Sequence, residues 1–180
     1  MSQHPGQANG RRPSSWIGPA VHSCKMGVTA VSHTLDVRFG VPRTGIPASN
    51  TFREWLALPL GKRRQAVAIA LRVVNEVEGR QLNQQFRGRD YATNVLSFPD
   101  KLIDPINGTR FIGDIAICAP VVMREATEQG KPKRAHFAHM TIHGVLHLLG
   151  HDHVIEADAQ RMEALERKLL AMLGFADPYA

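Results

Sequence analysis

The sequence predicts an α/β (α+β) protein, a single domain with a small mixed four-stranded sheet packed with about five or six helices. Three observations point there. Short apolar runs, alternating from His33 to Val41 and continuous but for Asp114 from Phe111 to Cys118, fit strands. Longer segments with apolar residues three and four apart, as from Lys133 to Leu149 and Glu156 to Leu173, fit helices. The chain has 180 residues, 43% hydrophobic and 21% charged, a size and balance suited to one soluble domain with a real core.

Residues 1–32 are rich in Gly, Pro, Ser, Gln and Asn without periodicity, and predict a disordered N-terminal extension ahead of a domain over 33–180. His33 to Val41 is a strand with Leu35, Val37 and Phe39 alternating, closed by Pro42. Ser49 or Asn50 is placed to cap a short helix through Leu58. Lys62 to Glu78 predicts a helix, with Val67, Ala70, Leu71, Val74 and Val77 on one stripe and Gly79 as its stop. Gln81 to Phe86 is expected as a short strand, Arg87 to Asp90 as a loop, and Asn94 to Phe98 as a strand closed by Pro99. Lys101 to Arg110 reads mostly as loop, Phe111 to Cys118 as a strand, and Val121 to Gln129 as a short helix entered through Pro120. Lys133 to Leu149 and Glu156 to Leu173 complete the set.

The formal charge is +6, and half of it lies in Arg11, Arg12 and Lys25 of the first 32 residues, which hold no acid. The body, with 19 basic against 16 acidic side chains, is only mildly basic and does not by itself name nucleic acid as a partner. The two cysteines, Cys24 and Cys118, do not make a disulfide framework and suit a reducing compartment. The best apolar stretch, Ala66 to Val74, is too short for a membrane span and contains Arg72. A soluble, cytoplasmic protein is expected.

The chemistry concentrates in His143-Gly144-Val145-Leu146-His147-Leu148-Leu149-Gly150-His151-Asp152-His153. His143 and His147, four apart on a helix, stack on one face and can reach one ion. Gly150 can take the left-handed conformation that ends the helix, letting the chain turn back and offer His153. His151 competes with His153 for that third place, and Asp152 can orient a ligand imidazole. Three histidines leave a fourth tetrahedral position of a zinc ion for water, a catalytic rather than closed arrangement. His139, His143 and His147 form a stripe about 100–140° round from the apolar stripe of Ala138, Ile142, Val145 and Leu149, so the helix can form a metal cleft on one side while packing on the other. His139 and His136 read as packing residues or as support for the ligands. The position after His143, where a metallopeptidase of the HExxH type carries its Glu base, is Gly144, which argues against peptide hydrolysis.

The same stretch resembles the HGxLHLxGxDH signature of the YbeY endoribonucleases, the rRNA maturation factors. Leu82 to Pro99, containing Phe86-Arg87-Gly88-Arg89-Asp90 and Thr93-Asn94-Val95-Leu96-Ser97-Phe98-Pro99, is similar to that family's LNxxYRGxDxPTNVLSFP segment. Gly113 to Cys118 is similar to its GDIxIC strand, and Met162-Glu163 with Leu165-Glu166 to its last helix. His151 stands where the family usually has Tyr, and Ala92 where it has Pro. The resemblance, over residues 33–178, implies a single-strand-specific, zinc-dependent endoribonuclease acting in 3′-end maturation of small-subunit ribosomal RNA and in ribosome quality control. It implies His143, His147 and His153 as ligands of one Zn2+ per chain, and Arg87 as the functional arginine. A guanidinium there can hold a phosphate bidentately and offset charge developing in phosphoryl transfer. Implied partners are single-stranded RNA, ribosomal RNA and the small ribosomal subunit, with an assembly GTPase and a small-subunit ribosomal protein. Lys131, Lys133 and Arg134, cations at a helix start where the dipole disfavours them, suit an anionic partner equally with a solvated loop. A different class also fits: a metal-stabilised ribosome-assembly module whose hydrolysis is incidental.

Overall fold

The computed structural model describes residues 32–151 and 156–180; the predicted N-terminal extension and His153 therefore lie outside the described residues, apart from Ser32. Strand β1 spans Thr34–Phe39, β2 Val67–Val74, β3 Val95–Ile103 and β4 Arg110–Cys118; helix α1 spans Ser49–Ala57, α2 Glu76–Arg87, α3 Ala119–Glu128, α4 Lys133–Leu148 and α5 Glu156–Met172. A short 3-10 turn, Leu58–Leu60, follows α1. The sheet order is β1-β2-β4-β3, with β1, β2 and β4 parallel and β3 antiparallel to β4. This is the mixed four-stranded α+β architecture expected, with five helices.

The membership of the sheet differs from expectation at one strand. Val67 to Val74 is not helix but β2, hydrogen-bonded on both edges. Its apolar residues satisfy two periods at once. Val67, Ala70, Leu71 and Val74 have helical spacing, while Val67, Ile69, Leu71 and Val73 alternate and are all buried. With both neighbours parallel and both faces partly covered, a near-continuous apolar strand results, and the β-branched Val and Ile side chains suit it. Gln81 to Phe86 is correspondingly not a strand but the middle of α2, whose buried Gly79, Leu82, Asn83 and Phe86 follow the helical three-and-four spacing. Asn75 caps this helix, its side chain accepting the Glu78 N–H at 2.8 Å.

Smaller differences have local causes. The α1 cap position is Ala48 rather than Ser49 or Asn50, without a side-chain cap, and Asn50 instead accepts from Arg53 at 2.8 Å. β3 runs past Pro99 to Ile103; it is an edge strand, where a proline's missing N–H is tolerated, and the register shifts between Pro99 and Leu102.

One face of the sheet carries α1 and α4, with α5 packed outside α4. Between them lies the main core, in which Phe52 meets Trp55 and Phe137 edge-on with ring centroids 5.5 and 6.0 Å apart. The other face carries α2, whose Leu82 and Phe86 cover Leu96, Phe98 and Ala116. Ala116 lies between the main-core residues Ile115 and Ile117, so the alternation of β4 sets α2 and α4 on opposite sides. No helix among the described residues is long and apolar enough to cross a membrane.

Candidate metal centre

Helix α4 lies directly on the sheet because Gly144 permits it. A Cβ there would stand 3.1 and 3.2 Å from the Ile115 side chain and 3.3 Å from Ser97 Oγ, and the Gly144 carbonyl accepts the Ser97 hydroxyl at 3.1 Å. The position that holds the Glu base in HExxH peptidases is thus pressed against strands here, with no room for an acid.

On the flank of the helix, His143 and His147 converge. Their Nε2 atoms are 3.1 Å apart and their ring centroids 4.6 Å. Two nitrogens bound to one tetrahedral zinc at roughly 2.0–2.1 Å would be about 3.3 Å apart, close to this separation. The opposite edge of His143 fixes the tautomer of the ring. Its Nδ1 lies 2.8 Å from Glu166 Oε1, and a carboxylate only accepts, so Nδ1 carries the proton and Nε2 the lone pair. A second carboxylate oxygen, Glu166 Oε2, accepts from His139 Nε2 at 3.1 Å and from the Tyr179 hydroxyl. Glu166 is fully buried. Burial alone would raise its pKa, but the bonds from His139, His143 and Tyr179 outweigh that and bring it to about 2, so it is ionised at neutral pH. Burial and the bond to Glu166 push the Tyr179 hydroxyl up, keeping it a donor.

His139, His143 and Glu166 place ligand atoms within 4.8 Å of one another, a group that can hold a metal ion. Their separations of 2.8 and 3.1 Å are also those of donor and acceptor, the arrangement by which a carboxylate orients metal-binding imidazoles. The donor set of imidazoles converging beside a buried carboxylate fits a borderline-soft divalent ion such as zinc.

The end of α4 has the expected form. Gly150 has φ 89°, its N–H bonds the His147 carbonyl at 3.0 Å, and the His151 N–H bonds that of Leu146 at 3.0 Å, a Schellman closure. His151 is half-buried just beyond. The helix therefore ends at Gly150 as expected, while the third predicted ligand, His153, lies outside the described residues.

Arg87 is not in a loop but is the last residue of α2, ahead of the left-handed Gly88 cap. It is exposed, and its guanidinium donates to the Ser97 carbonyl at 3.2 Å. Because Ser97 in turn bonds Gly144, Arg87 is tied to the strand that supports the helix between His143 and His147. The basic cluster before α4 is partly occupied: Lys131 donates to the Pro178 carbonyl, and the Arg134 guanidinium lies 5.5 Å from the Trp55 ring centroid. His136 belongs to a separate network, 2.8 Å from Glu125, which also accepts from Asn94. Sequence reasoning assigned no role to Glu166 or Tyr179. The only signal was His139 one turn before His143; what they share comes from another helix and the chain's end.

A family model described as endoribonuclease YbeY matches residues 46–174. An endoribonuclease YbeY of Stenotrophomonas maltophilia is 53% identical over 147 residues, covering 80% of this chain and 91% of the relative. One from Xanthomonas campestris pv. campestris is 53% identical over 149 residues, covering 81% and 92%. A Thermotoga maritima protein known from a solution structure shares the fold, with TM-score 0.52 at 24% identity, covering 81% of this chain and 98% of that one. With the model spanning most of the chain and more than half of the aligned residues identical to those of relatives covered almost in full, the chain belongs to the YbeY endoribonuclease family.

Proposed function

We propose that this protein is a single-strand-specific, zinc-dependent endoribonuclease that matures the 3′ end of small-subunit ribosomal RNA and serves ribosome quality control in the cytoplasm. The observation that carries the reading is the convergence of His143 and His147 through Nε2, with Nδ1 of His143 held by the buried Glu166. In this reading His143, His147 and His153 hold one Zn2+, and residues 33–180 are the catalytic domain. An ion held by these residues would supply Lewis-acid polarisation of the phosphate and would lower the pKa of water to about 7. Arg87 binds the phosphodiester, its planar fork gripping two oxygens as charge builds on them. Its bond to the Ser97 carbonyl anchors the guanidinium without burying it, which supports this role. Partners on this reading are single-stranded RNA, ribosomal RNA and the small ribosomal subunit, with an assembly GTPase and a small-subunit ribosomal protein delivering substrate.

The test is Arg87→Glu. Cleavage of a single-stranded RNA should be lost, while metal analysis still finds about one zinc per chain. Undiminished cleavage would remove Arg87 from the mechanism, and cleavage by a His143/His147 double variant would trace the activity to a contaminant.

A further inference from the structure

The chain does not stop at α5. After Gly174 it folds back along the outside of α4, fixed at several points on the way to Tyr179. The Phe175 N–H bonds the Leu170 carbonyl at 3.1 Å and the Phe175 ring meets Trp55 at 6.4 Å. Lys131, at the foot of α4, donates to the Pro178 carbonyl. Asp177 accepts the Tyr179 N–H at 2.9 Å and pairs with Arg167 at 3.2 Å. The Arg167 guanidinium lies over the Tyr179 ring, 4.8 Å from its centroid, while the ring's other neighbour is His139, edge-on at 5.5 Å. A ring clamped in this way aims its hydroxyl at the His139–Glu166 pair, where it donates to Glu166 Oε2 and lies 3.4 Å from His139 Nε2.

We infer that Tyr179 is a positioning residue of the metal centre, acting through Glu166 to hold the His143 imidazole with Nε2 presented to the ion. The inference deepens the proposed metal reading and rests on it. Glu166 has two oxygens and three donors. Oε2 takes His139 and Tyr179, which leaves Oε1 to His143 alone at 2.8 Å. Without the hydroxyl, Oε2 keeps only the longer 3.1 Å bond to His139. The buried carboxylate can then rotate to share its donors, and the hold on Nδ1 of His143 loosens. Outer partners of a metal-ligating histidine typically contribute 10–100-fold to metal affinity. Tyr179 stands one bond further out, so an effect of about three- to tenfold is expected.

The experiment is a double-mutant cycle on the full chain, read by cobalt(II) affinity in chelator competition and by the cobalt d–d spectrum. Tyr179→Phe keeps the ring and both of its contacts and removes only the hydroxyl. It should weaken cobalt binding about three- to tenfold and alter the d–d bands, and Glu166→Gln should weaken it at least as much. The double variant should be no worse than Glu166→Gln alone, because Tyr179 acts through that carboxylate. If wild-type protein binds cobalt and Tyr179→Phe binds it equally with the same spectrum, Tyr179 is only a tail anchor and the inference is overturned. Additive losses in the double variant overturn it too. A wild-type protein that takes up no cobalt overturns the metal reading itself, and the inference with it.

Discussion

Gly144 decides more about this protein than its lack of a side chain suggests. It is a point of close approach between α4 and the sheet, and the two histidines stand on either side of it at positions 143 and 147. Adding a methyl group would place it 3.1–3.3 Å from Ile115 and Ser97, closer than a relaxed contact allows. Gly144→Ala should therefore cost about 1–3 kcal/mol, the usual penalty of overpacking, despite alanine's better helix propensity. Urea unfolding measures this directly; an unchanged midpoint would mean that α4 has slack at the sheet and that its packing does not fix the histidines. The HxxxH pair around this glycine was legible in the sequence because helix geometry is local: four residues always means one face. Glu166 was not, since 23 residues separate it from His143, and a glutamate in an amphipathic helix carries no mark of what it will face. Arg87 was singled out only through resemblance, because an arginine in a segment that reads as loop is usually a solvated one.

At the scale of elements, the segment from residue 62 to residue 87 shows where pattern reading fails. Val67 to Val74 fits both periods, and only its neighbours in space decide between them. Reading β2 as helix displaces the true helix α2 into a strand, although Gly79, Leu82, Asn83 and Phe86 carry a clean helical spacing. The junction of these elements is tight. A Cβ on Gly79 of α2 would sit 3.2 Å from Cys118 Sγ at the end of β4, and Cys118 is almost fully buried. Burial pushes the thiol up from its ordinary 9.0. A group whose pKa is raised by folding contributes stability below its unfolded value and loses it as pH climbs toward the folded one. Stability should therefore fall above about pH 9 in part through Cys118. Cys118→Ala should show a shallower alkaline decline in unfolding free energy than wild type. Parallel curves for the two proteins would show that the thiol ionises as easily folded as unfolded.

For the whole molecule, the separation of core from site bears on what the metal is for. The main core, Phe52, Trp55, Phe137, Ile115 and their neighbours, closes over one face of the sheet without using any candidate ligand. His143 and His147 are half-exposed on the flank of α4, and Glu166 and Tyr179 tie α5 and the chain's end to that flank. A small metallo-domain that is unfolded without its ion lacks such a core. Here a bound metal ion should add only mass-action stability, about 2.7 kcal/mol at a hundredfold excess over Kd. The enzyme reading and the ribosome-assembly module then diverge at His147→Ala. If the protein is an enzyme, this variant keeps its far-ultraviolet circular dichroism and its association with the small subunit, loses RNA cleavage, and loses thermal stability only to the level of chelator-treated wild type. If the metal is a folding element of a binding module, the variant loses structure and ribosome association together. Thermal melts with and without chelator, run beside ribosome sedimentation, separate the two, and the closed aromatic core under α4 is the reason to expect the first result.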